Sequence, residues 1–335
     1  MSTVDSQLIR WRLPGPMRLA RAVTPARNGP IVARFVLLAL VWGASFLLIK
    51  VGDGGLSPAQ VVFARLGFGA LALGIVLAVT RTSLPREARI WGHFTVLAIT
   101  LCVVPFLLFA WAEQHVSSGL ASILNATTPL MTMLITVLAL PSEKLTTARV
   151  LGLLLGFLGV VTLTGPWQGS GGGSLVAELA CVGATLCYGI GFTYLRRFIS
   201  PLRLSPITVG FGQVLTGTVI MALTLPWIRL PAPHPSVSIV LAMVALGALG
   251  TGVAYMWNTA IVAAWGAVNG AAVTYLTPIV GVVLGIIVLN EPLRWNEPVG
   301  AVLVILGVLA AHGRLRRLFQ RASDTAGRSK ASSAR

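Results

Sequence analysis

Stretches of about 20 predominantly apolar residues, each long enough to cross a bilayer as a helix, recur along most of this sequence. Ten can be counted, at roughly 33–50, 58–80, 91–112, 118–140, 148–165, 174–195, 205–226, 237–258, 265–289 and 298–313. The connections between them are short and leave no soluble domain for separate chemistry. With 56% hydrophobic residues, 10% charged residues and a mean hydropathy of +0.86, the chain reads as an all-α polytopic membrane protein with ten transmembrane helices.

The formal charge of +16 invites a nucleic-acid reading, but its distribution argues for topology instead. With the N-terminus in the cytoplasm, 21 of the 25 Lys and Arg residues fall in the tails and in alternate loops on that side. Lys50, Arg229 and Arg294 fall on the other side, and Arg65 lies within a span. This positive-inside bias puts both termini in the cytoplasm and requires an even number of spans. The expected partners are therefore membrane lipid and a small solute, with no nucleic acid.

The segment 1–32 is rich in Arg and Pro and lacks an apolar core followed by a small-residue cleavage site, so a basic cytoplasmic tail is the simpler account. The segment 314–335 reads likewise. Cys102, Cys181 and Cys187 sit in apolar spans, and His93, His115, His234 and His312 are scattered near span ends. No metal-ligand spacing, cofactor motif or nucleotide-binding motif is present. Nine acidic residues, nearly all at span ends, supply no catalytic constellation, so enzymatic function is not expected.

Two apolar stretches stand apart. Between 118 and 136, Ser118, Ser122, Asn125, Thr128, Thr132 and Thr136 recur at helical spacing around Pro129. Between 266 and 285, Gly270, Thr274, Thr277, Gly281 and Gly285 do the same around Pro278. Each proline frees the carbonyl four residues back, that of Asn125 or Thr274, and lipid tolerates a freed carbonyl only against protein or a watery cavity. Either these faces wall a central pathway, or they are small-residue packing faces whose hydroxyls bond back to their own backbone.

Arg65 lies about two turns into the second span, where a guanidinium facing lipid costs about 2.5–3.5 kcal/mol. It must face protein or water, either as an anchor for an anionic solute or as a structural clamp on carbonyls or Glu113. Gly152, Gly156 and Gly159 suit close helix contact, within the protomer or in a homodimer.

After a Gly/Ser-rich linker at 166–173 the pattern restarts. Tyr188-Gly189…Phe192 echoes Trp42-Gly43…Phe46, Ser205-Pro206 echoes Ser57-Pro58, Gln213 stands where Arg65 does, and Pro278 answers Pro129. The offset stays between 146 and 149 residues. The units 33–165 and 174–313 thus carry five spans each, and the odd number inverts the second relative to the first.

The Trp42-Gly43…Phe46…Pro58…Arg65 string, the proline-centred fourth and ninth spans and the doubled five-span unit resemble the EamA branch of the drug/metabolite transporter superfamily. The resemblance covers about residues 33–313 and departs at Tyr188 and Gln213. It implies two inverted five-helix EamA-like repeats in the plasma membrane (the bacterial inner membrane). It further implies a secondary carrier that moves a small metabolite, such as an amino acid, outward by alternating access. A passive channel or facilitator, or a non-transporting sensor, is the alternative. The expected pathway residues are Trp42, Arg65, Asn125, Thr128, Thr132, Tyr188, Tyr255, Thr274 and Thr277, with Pro129 and Pro278 breaking the helices.

Overall fold

The computed structural model describes residues 29–139, 146–164, 172–265 and 272–311. The 166–173 linker, nearly all of both tails and the stretch that holds Gly270 lie outside the described residues, with the exception of the linker's last two positions. Regular structure among the described residues is helical throughout. The first half contributes α1 (Gly29–Gly52), α2 (Pro58–Val79), α3 (Ala88–Ala98), α4 (Val104–Ala112), α5 (Ser118–Asn125), α6 (Thr128–Ala139) and α7 (Thr147–Thr164). The second contributes α8 (Gly172–Tyr194), α9 (Pro206–Thr224), α10 (Val237–Gly247), α11 (Ala254–Trp265), α12 (Thr277–Leu289) and α13 (Asn296–Ala311).

Among the described residues, seven apolar stretches are long enough to cross a bilayer: Ile31–Gly52, Pro58–Val79, Ala88–Ala112, Ser118–Ala139, Leu175–Leu202, Pro206–Trp227 and Val237–Ile261. Val150–Leu163, Val273–Leu289 and Asn296–Gly307 are apolar but shorter. These segments coincide with the ten stretches of the sequence, but only seven reach the full length expected of all ten. Large apolar side chains cover the outside, including Leu71, Ile75, Phe157, Leu241 and Ile287, each more than half exposed. A soluble protein buries such residues, whereas lipid solvates them. The chain is a multi-pass membrane protein.

Local signals set the helix starts, and they come in pairs. Ser57-Pro58 opens α2, where the Gln60 side chain reaches back to the Ser57 N–H at 2.8 Å. Ser205-Pro206 opens α9, where the Ser205 hydroxyl accepts from the Thr208 N–H at 3.1 Å. A π turn at Ile99–Val103 joins α3 to α4, and another at Ala248–Val253 joins α10 to α11. Thr128-Pro129 opens α6 and Thr277-Pro278 opens α12. The structural landmarks thus repeat with the same offset as the sequence.

The two halves interpenetrate. The helix α1 packs on α10, α11 and α12; α2 on α9 and α10; α3 on α9; α4 and α6 on α8; α5 on α12; and α7 on α13. Every helix of the first half therefore has a partner in the second.

The α7–α13 pair is the closest, and glycine makes it possible. A Cβ on Gly159 would lie 2.6 Å from the Val304 nitrogen, and one on Gly300 would lie 2.8 Å from the Gly159 carbonyl. The glycine face of α7 is thus used within the protomer. Gly159→Val is expected to destabilise the protein by about 2 kcal/mol through overpacking, read as a lower unfolding midpoint in detergent. Gly92→Ala, which meets nothing within 4 Å, is the control and should not lower the midpoint, since Ala is the better helix former.

Candidate functional site

Proline placement explains where the cavity forms. Pro129 cannot donate to the Asn125 carbonyl, so α5 ends at Asn125 and α6 starts afresh at Thr128. The Thr128 hydroxyl donates to the freed Asn125 carbonyl at 2.7 Å. In the second half the Thr277 hydroxyl donates to the Thr274 carbonyl, freed by Pro278, at 2.9 Å. Pro105 frees the Leu101 carbonyl inside the first π turn, and the Tyr255 hydroxyl donates to it at 2.9 Å from the other half of the chain. Each interruption is thus closed by a hydroxyl, and the chain can bend at mid-membrane without an orphaned acceptor.

A cavity lies between the halves at this level. Its walls are Trp42, Ser45, Phe46 and Ile49 from α1, Arg65 from α2, Leu101 from the π turn, Phe106 and Phe109 from α4, Asn125 from α5 and Thr128 from α6. The second half supplies Tyr188 and Phe192 from α8, Tyr255 from α11 and Thr274. Seven of these residues are aromatic. Phe46 meets Phe109 edge-on at 5.6 Å between ring centroids, and Phe109 lies 6.2 Å from Tyr188. The polar edge consists of Ser45, Asn125, Thr128 and Thr274.

Arg65 is the only ionisable cation among the lining residues. It is 7% exposed, its Nε–H donates to the Thr251 hydroxyl at 2.9 Å, and its guanidinium carbon sits 3.6 Å above the Phe106 ring centroid. These contacts orient the group against one wall and use one of its five N–H donors. Trp42 is fixed similarly, donating from its indole N–H to the Gly250 carbonyl in the second π turn at 3.2 Å.

Of the residues singled out in the sequence, Trp42, Arg65, Asn125, Thr128, Tyr188, Tyr255 and Thr274 come together around this cavity. Thr132 and Thr277 do not line it. Thr132 donates to the Thr128 carbonyl at 2.8 Å, and Thr277 is fully buried beside the break. Gln213, the counterpart of Arg65, is buried away from the lining. The sequence reading missed Ser45, Phe46, Ile49, Leu101, Phe106, Phe109 and Phe192. The Phe46–Phe192 echo between the units was the available signal for two of them.

One end of the cavity is sealed. From the turn after α12, Glu291 accepts from the Ser118 N–H at 2.8 Å, the Ser118 hydroxyl at 2.9 Å and the Gly119 N–H at 3.1 Å, which places its carboxylate on the positive end of α5. Below it the Ser122 hydroxyl donates to the Thr277 carbonyl at 3.2 Å, and a side chain at Gly281 or Gly285 would strike Ser122 or Glu291. Every residue from Ser118 to Leu130 is buried, whereas 131–137 are only half-buried. The Glu291 end is therefore closed, and the second half of the broken helix is less tightly enclosed than the first.

A family model described as an EamA-like transporter family matches residues 30–165 and again residues 175–311. A probable terminal-alkyne amino-acid exporter from Streptantibioticus cattleyicolor is 27% identical over 282 residues, covering 83% of this chain and 92% of that protein. Uncharacterized transporters from Bacillus subtilis (YdfC) and Archaeoglobus fulgidus are 26% and 23% identical, covering 84% and 82% of this chain and 90% and 97% of their own lengths. A crystal structure of a protein at 22% identity shares the fold, with a TM-score of 0.61 over 87% of this chain and 99% of its own.

The Thr251 contact yields a test. Thr251→Val keeps the shape but leaves the buried Arg65 Nε–H without its acceptor. The expected loss is about 2 kcal/mol, read as a lower unfolding midpoint in detergent. An unchanged midpoint would show that this bond does not hold the guanidinium in place.

Proposed function

The chain belongs to the EamA-like transporter family, and from that premise we propose that it is a secondary carrier for a small carboxylate-bearing metabolite with an apolar body, an amino acid or a close relative. A multi-pass transporter needs one site reachable from either side. In this account the ten helices form two inverted five-helix units that rock about the central cavity and expose it to each side in turn. The chain sits in the plasma membrane with both termini in the cytoplasm, as the distribution of basic residues supports. The closed Glu291 end is then the outer one.

The observation that carries this reading is a single guanidinium held at the edge of an aromatic-walled cavity between the halves. A carboxylate would take the free donors of Arg65 in a charge-assisted pair, strengthened by the low-polarity walls. The hydroxyls of Thr128 and Thr274 and the amide of Asn125 would take the remaining polar groups of the solute. The rings of Trp42, Tyr188 and Tyr255 would take its apolar part. Membership of a transporter family rather than an enzyme family, and a related amino-acid exporter, support transport of an amino-acid-like solute outward.

Counterflow in proteoliposomes tests the proposal. Labelled amino acids and related monocarboxylates are expected to accumulate transiently against an unlabelled gradient, as exchange by a carrier requires. Arg65→Gln is expected to weaken carboxylate handling by about 10- to 100-fold, the worth of a charge-assisted bond. Flux that never shows counterflow would indicate a channel, and unchanged carboxylate handling in Arg65→Gln would remove that residue from the site.

A further inference from the structure

A second group of polar residues lies at the sealed end and takes no part in the cavity. Asp53 follows the last turn of α1, and Glu113 follows the last turn of α4. Glu113 is fully buried, and the four carboxylate oxygens of the two residues are all shielded from solvent. None of them receives a hydrogen bond from the described residues. Both carboxylates also sit at the negative ends of their helices, where the backbone dipoles disfavour a negative charge.

The charged and titratable groups facing Glu113 are few. Lys50 and Asp53 approach from α1, Arg65 from α2, Glu291 from the turn after α12 and Cys181, which itself faces Glu178, from α8. Lys50 ties the elements together by donating to the backbone carbonyls of Glu113 and Val116, the latter at 3.0 Å. Its ammonium faces both carboxylates but bonds to neither of them. Arg65 is committed to Thr251 and Phe106, and Glu291 to the start of α5. Two ionised carboxylates beside one ammonium would leave an uncompensated buried negative charge, which costs several kcal/mol.

We propose that Asp53 and Glu113 together form a proton-binding site, loaded while the Glu291 end is closed and emptied when that end opens to water. The inference rests on the two-faced carrier reading above. On opening, a carboxyl O–H bond breaks, its electron pair stays on the carboxylate oxygen, and the proton passes to water on that side. Closing reverses the step, so each cycle exchanges a proton with the medium there.

The sign of the pH dependence follows. Burial pushes Asp53 up to about 7, against the pull of Lys50. Burial, and then the charge of Asp53, hold Glu113 well above the usual carboxylate range. In the open state both groups are hydrated and return towards about pH 4. The closed state therefore binds protons that the open state does not. Falling pH favours closure, rising pH through about 7 favours opening, and the dependence flattens below about pH 4, where both states are protonated.

The test uses the full chain in lipid nanodiscs, with Cys102, Cys181 and Cys187 replaced by Ala and spin labels at the exposed Gln114 and Trp295. Distances across the Glu291 end are measured from about pH 5 to about pH 9. A longer-distance population should grow with pH in the parent protein. Glu113→Gln should lose most of that growth and stay at the short distance, and Asp53→Asn should lose the step near neutral pH. Infrared spectra supply a readout independent of motion. The C=O stretch of a buried protonated carboxyl should be present at neutral pH, weakened in Glu113→Gln and lost when Asp53→Asn is added.

A pH response unchanged in both variants, or a distance change that follows sodium at fixed pH, overturns the proton site while leaving the carrier reading intact. So does the absence of the carboxyl band from the parent protein. A parent protein whose labels never move at any pH sinks the proton site and the two-faced reading together.

Discussion

A backbone carbonyl freed inside a membrane must find a donor, and the architecture of this protein follows from how it meets that requirement. Pro105, Pro129 and Pro278 each remove a helical hydrogen bond, and hydroxyls of Tyr255, Thr128 and Thr277 replace them. Two of the donors stand immediately before their own proline, so those bends are self-sufficient. The third crosses from α11 to the π turn between α3 and α4 and joins the halves. The cavity opens where these repairs converge, because straight, fully bonded helices would pack there without leaving a hollow.

The same interruptions give the two halves of the broken helix separate lives. In a single rigid helix over 118–139, any motion at one end would be transmitted to the other. With α5 and α6 parted at 126–127, α5 can stay clamped by Glu291 and Ser122 while α6 lies against α8. Small residues allow the clamp, since Gly281 and Gly285 leave room for Ser122 and Glu291. Polar contacts share this seam with apolar packing of Val282 against the cluster that holds Leu120 and Ala121, and the polar contacts can be exchanged for water on opening with little net loss.

Much of this was legible in the sequence, for physical reasons. The repeat offset and the proline bends depend on local composition, and the structure carries them, as it does seven of the ten spans at full length. Thr132 and Thr277 share a helical spacing with Thr128 and Thr274 but lie off the cavity wall, because a face shared on one continuous helix is not kept once the helix is broken. The phenylalanines of the cavity were hidden because, within an apolar run, a ring facing a hollow looks the same as a ring facing lipid. The roles of Glu291, Lys50 and Asp53 come from partners far away in the chain, which no local pattern encodes. Arg65 was legible as a residue needing company, but its partners Thr251 and Phe106 were not.

The central claim is that one hollow serves both sides of the membrane and that the Glu291 seam closes it on one of them. The most direct measurement places a single cysteine at Asn125 in sealed, uniformly oriented vesicles and applies a charged, membrane-impermeant thiol reagent from each side in turn. The parent protein is expected to be labelled from both sides, faster from the side opposite Glu291, and Glu291→Ala is expected to raise the rate from the Glu291 side. Labelling from neither side in either protein would mean that the hollow never meets water, and would contradict the account.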